Sequence, residues 1–93
     1  MIAITQPIVS KRANNATLNL HVVSDNLMVN TKKKIVMGQV RSFKTDKIID
    51  SMDDTGNVVP ATVQPFMIEN VDIQNMEATV EAFITDNLEK IVG

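Results

Sequence analysis

The sequence predicts an α+β domain: a small antiparallel β-sheet packed by one C-terminal α-helix. Three observations carry that expectation. Short runs in the first two thirds of the chain alternate apolar and polar residues, as half-buried strands do. Between residues 75 and 91 the apolar spacing changes to three or four, the period of one helix face. Strands first and a helix last suit a helix segregated to one face of a sheet. The 93 residues make a single domain over 1–93. Residues 1–16 form an N-terminal arm or edge strand, 17–71 the antiparallel sheet and 72–93 the helix. Apolar content is 44%, which is globular rather than disordered. Phe43, Phe66 and Phe83 are the only aromatic residues besides His21, so the core must be largely aliphatic.

The elements follow in order. Residues 2–10 alternate, and Pro7 marks an edge strand or a docked arm. Residues 11–16 hold Asn14-Asn15 and read as a turn. Residues 17–24 form a strand with Leu18, Leu20 and Val22 facing the helix-covered core. His21 then falls on the opposite, surface or interface side. Ser24-Asp25-Asn26 is a turn. Residues 34–43 form the antiparallel partner of 17–24, with Ile35, Met37, Gln39 and Arg41 on one side. Gly38 within that strand implies a bulge or a close backbone approach. Residues 45–52 read as a short helix capped by Thr45, and 53–57 as an acidic turn. Residues 58–63 are extended, but Pro60 and Pro65 make them a poor central strand, and 66–71 form the last strand. In 75–91, Met76, Val80, Phe83, Ile84 and Leu88 should be buried, with Asp72 or Asn75 as the cap. Met76, Ala78, Val80, Ala82 and Ile84 also alternate, so a strand over 75–85 stays open. Length and alanine content favour the helix.

Charge is sorted along the chain. Residues 1–47 carry eight Lys/Arg against two acids, a net of +6, and residues 48–93 carry one Lys against nine acids, a net of −8. The overall −2 conceals this polarity. Such halves neutralise each other within one molecule or pair between neighbours. The basic set is Lys32, Lys33, Lys34, Arg41 and Lys44. The acidic set is Glu77, Glu81, Asp86 and Glu89.

Little in the sequence supports catalysis. There is no cysteine, which excludes disulfides, thiolate metal sites and cysteine nucleophiles. His21 is the single histidine, with no second His to complete a metal site and no evident partner to orient it as a base. Asp50, Asp53 and Asp54 miss the calcium-loop spacing, because position three counted from Asp50 is Met52. No cofactor is expected. No run is apolar enough to span a bilayer, and no signal peptide is visible. These features point to a non-enzymatic structural or assembly protein that self-associates head to tail into a ring or tube. A viral particle component is one concrete form of it. The alternative is a small adaptor that binds an acidic protein surface or, less favoured, nucleic acid through the basic half.

Overall fold

A computed structural model of the protein describes residues 2–24 and 27–93. Its elements are β1 (Ala3–Ile4), β2 (Ile8–Ser10), β3 (Ala16–Leu18), β4 (Leu20–Val22), β5 (Met28–Asn30), β6 (Ile35–Phe43), β7 (Thr62–Ile68) and α1 (Met76–Val92). Two 3-10 turns, Ile48–Ser51 and Ile73–Asn75, punctuate the chain. Among the described residues all the strand pairings are antiparallel and one α-helix packs on them, so the fold is α+β. The turn expected at Ser24-Asp25-Asn26 lies largely outside the described residues.

β6 organises the sheet. Along one side it pairs with β7, from Val36↔Ile68 to Ser42↔Thr62. Along the other side β4 and β5 lie end to end, with Leu20↔Phe43 and Val22↔Arg41, then Met28↔Met37 and Asn30↔Ile35. β1 pairs the outer side of β4, and β2–β3 form a separate hairpin. Between β4 and β5 the chain spans 23–27 while β6 passes only 38–40. Gly38 permits the resulting crowding. A Cβ there would lie 2.9 Å from Leu27 Cδ2 and 3.0 Å from the Phe66 ring. The close approach read from the sequence is therefore real. Pro65 sits within β7, where it is tolerated because β7 has β6 on one side only among the described residues.

The expected strand 17–24 pairs with β6 only in its second half. It breaks at Asn19, whose N–H donates to Phe43 O (2.9 Å) and whose Nδ2 donates to Lys44 O (2.7 Å). The break inverts the side-chain alternation. Leu18 stays in the main core with the helix, but Leu20 and Val22 join Phe43 in a second cluster on the other face, covered by Ile48 and Val58. His21 is thereby turned inward and is 0% exposed, not on the surface. Residues 45–52 contain only the 3-10 turn. Thr45 does not cap it; its hydroxyl bonds to Lys47 instead. The last strand starts earlier than expected, at Thr62.

α1 packs across the inner face of the sheet, the face carrying Val36, Val40 and Ile68. The strand alternative for 75–85 is excluded. Asp72 caps the preceding 3-10 turn by accepting from Gln74 N at 3.1 Å, whereas Asn75 makes no side-chain cap bond. Val80, Ile84, Leu88 and Val92 are buried at intervals of four. Met76 and Phe83 were expected inside, but they lie half-buried at the margin of the core. The last turn is fastened to the β2–β3 hairpin. Ser10 Oγ, buried, donates to Val92 O at 2.7 Å, and Lys11 N donates to Gly93 O at 3.2 Å.

Candidate functional site

The two faces of the sheet are covered differently. α1 lies on the inner face. On the outer face, the 44–61 segment covers the end formed by Leu20, Val22 and Phe43. At the opposite end Met28, Met37 and Met67 remain open to solvent, 61%, 38% and 53% exposed. Register makes them one row across three strands, since Met28 faces Met37 and Met37 faces Met67. With Gln39 and Pro65 they line an open groove of about 680 Å³. Covering three half-exposed methionines would contribute about 2–4 kcal/mol, taking about 1.5–3 kcal/mol for each side chain fully buried from water. Methionine is suited to such a surface because its unbranched chain conforms to what it meets.

The basic residues do not form one patch. Lys32, Lys33 and Lys34 are exposed in the turn joining β5 to β6, beside the methionine row. Asn30 Oδ1 accepts from Lys33 N (3.1 Å), and Lys34 adopts a left-handed backbone with φ 55°. Arg41 is half-buried on the outer face, between Val22 and Val63. Lys44 lies past the far end of β6, roughly 33 Å from Lys34 at about 3.3 Å per strand residue. The acidic residues Glu77, Glu81, Asp86 and Glu89 are all exposed on α1. Glu77, Glu81 and Glu89 follow one row, whereas Asp86 is displaced from Glu81 by about 140° round the axis. Val71 N donates to Lys34 O at 2.9 Å, so α1 begins at the lysine end of the sheet, on the other face.

A buried polar row crosses the inner face through His21, Ser42 and Thr62, which register places side by side on β4, β6 and β7. His21 Nε2 is 2.9 Å from Gln6 O, and Nδ1 is 2.8 Å from Ser42 Oγ. The carbonyl can only accept, so Nε2 carries the proton and Nδ1 accepts from the Ser42 hydroxyl. Such a contact has the elements of a nucleophile and its base. Both residues are 0% exposed, however, so the pair is closed off from solvent. Burial pushes the His21 pKa below its ordinary value, and the bond to Gln6 partly opposes this. Thr62 Oγ1 is buried with no hydrogen-bond partner.

The 53–57 turn is closed on itself. Asp53 Oδ1 accepts from the Thr55 hydroxyl (2.7 Å), Thr55 N (2.9 Å) and Asn57 N (3.0 Å). The Thr55 hydroxyl above all, then the Asn57 amide, holds the Asp53 carboxyl below the usual carboxylate range. Among the described residues no three His, Cys, Asp or Glu converge as metal ligands, and no helix is long and apolar enough to cross a membrane. Set against known proteins, the chain matches no family model, no curated protein and no solved structure.

Sequence reasoning missed the methionine row. Alternation groups Met37 with Ile35, Gln39 and Arg41, but Met28 and Met67 join it only through the strand order and register.

Proposed function

We propose that this protein is a non-enzymatic assembly subunit that works by associating with copies of itself. The single observation that carries the reading is the Met28–Met37–Met67 row, an apolar surface left open on the outer face of the sheet. A flat row of this kind, bordered by Lys32–Lys34, suits a protein partner. The sorted charge supports the same reading, because the exposed lysines of the β5–β6 turn and the exposed acids of α1 are complementary. Contacts between unlike surfaces build rings or open tubes, and a part of a viral particle is one such setting. The enclosure of His21 and Ser42 favours a role without chemistry.

The rival is an adaptor that uses the lysine turn to bind an acidic protein or nucleic acid. It leaves the methionines unexplained, and the separation of Lys44 from Lys32–Lys34 weakens it. Sedimentation at rising protein concentration, in low and high salt, decides between them. Concentration-dependent association that weakens with salt and disappears in Met37→Glu is expected. A wild-type monomer at every concentration in both salts would remove self-association from consideration.

A further inference from the structure

We infer that the open end of the sheet receives the first half of α1 from the next copy. Glu77, Ala78, Glu81 and Ala82 of one subunit then lie on Met28, Met37 and Met67 of its neighbour, beside Lys32–Lys34. The inference rests on the self-association reading and names the partner surface.

Layering is the first argument. Each subunit has its helix on one side of the sheet and the bare methionine row on the other. Stacking subunits in the same sense sets every sheet between its own helix and that of its neighbour. The contact joins unlike surfaces, so it repeats from copy to copy.

Alignment is the second. The bond from Val71 N to Lys34 O holds the start of α1 at the lysine end of the sheet in every subunit. Displacing one copy along the sheet normal therefore brings Glu77 and Glu81 of the neighbour over the end that carries Lys32, Lys33 and Lys34. The acids and the lysines are exposed on both partners, and opposite charges at a rim set orientation.

Shape is the third. Ala78 and Ala82 are exposed on α1. Their small side chains let the helix backbone come close to the methionines, which adapt to it. The alternative of methionine row against methionine row brings two lysine turns into one interface. It leaves both acid rows outside, so the lysines find no complement there.

The absence of native cysteine makes a site-specific test clean. Met37→Cys and Ala82→Cys are prepared separately and then mixed under copper–phenanthroline oxidation. The expected result is a disulfide dimer in the mixture and none in either variant alone, with a ladder from the double variant. Dimers of Met37→Cys by itself would establish face-to-face pairing and overturn the inference. No cross-link in any sample, with association still seen by sedimentation, would overturn the helix contact while leaving assembly intact. A protein that never associates would instead defeat the self-association reading.

Charge exchange supplies a second readout. Changing Lys32, Lys33 and Lys34 together to Glu should weaken association at least about tenfold, as should changing Glu77 and Glu81 to Lys, because each exposed pair contributes little alone. Mixing the two variants should restore it. Failure of the mixture to associate, when both variants remain folded by circular dichroism, also overturns the inference.

Discussion

Replacing Thr62 with valine should stabilise this protein. Thr62 is 7% exposed, and its hydroxyl has no partner. A buried hydroxyl left unpaired costs about 1–3 kcal/mol. Valine keeps the branched shape and puts a methyl where the oxygen was, a group that gains about 0.8 kcal/mol on burial. Allowing for imperfect fit, Thr62→Val should add about 1–2 kcal/mol. For a domain of this size each kcal/mol moves the melting temperature by about 4–8 °C, so a rise near 5–15 °C is expected by calorimetry. Its neighbour in the row supplies the control. Ser42 donates to His21 Nδ1, so Ser42→Ala strands a buried acceptor and should cost about 1–3 kcal/mol. Two adjacent hydroxyls on one row thus have opposite predicted signs. A neutral or destabilised Thr62→Val would refute the argument, because it would mean that the Thr62 hydroxyl is satisfied in solution.

Other outcomes follow from the same geometry. Ile84→Ala should cost about 2–5 kcal/mol in urea unfolding, and Phe83→Ala clearly less, because Ile84 is enclosed and Phe83 is half-buried; equal costs would contradict that placement. Gly38→Ala should destabilise by about 1–3 kcal/mol, since its Cβ meets Leu27 and the Phe66 ring, and an unchanged urea midpoint would show that both can retreat. His21 is held neutral by burial, so the unfolded chain takes up a proton at higher pH than the folded one. The His21 contribution is therefore complete above about pH 6.5, the ordinary histidine value, and declines as pH falls toward the lowered folded value. Urea midpoints measured from neutral to mildly acidic pH should decline less in His21→Asn than in wild type, and parallel declines would contradict the assignment.

The parts of the fold that were legible are those decided locally. The alternation through Ile35–Phe43 and the four-residue spacing of Val80, Ile84, Leu88 and Val92 depend on single elements. Gly38 announced a crowded backbone through its own stereochemistry. The break at Asn19 was not legible, because it depends on bonds to Phe43 O and Lys44 O that exist only once β6 lies alongside. That break inverted the faces of Leu20, His21 and Val22, and with them the environment of the histidine. The candidate site was half visible. Every lysine and glutamate in it was named from the sequence, but their relative positions follow from the strand order. The methionine row is a property of register across β5, β6 and β7, and no single segment carries it.

The junction between Ser10 and Val92 has a consequence for biosynthesis. It joins residues 82 apart in sequence, and α1 follows β1 to β7 in the chain. Until α1 is made, Val36, Val40 and Ile68 have no cover, and the β2–β3 hairpin has nothing to fasten. Closure over so long a span is entropically costly and comes before most of the contacts that reward it. The nascent chain therefore emerges with the inner face of its sheet bare, and stable folding waits for the helix. During that interval the strands are exposed to pairing with other chains. On the self-association proposal, the chain is thus most vulnerable to wrong association just before it folds.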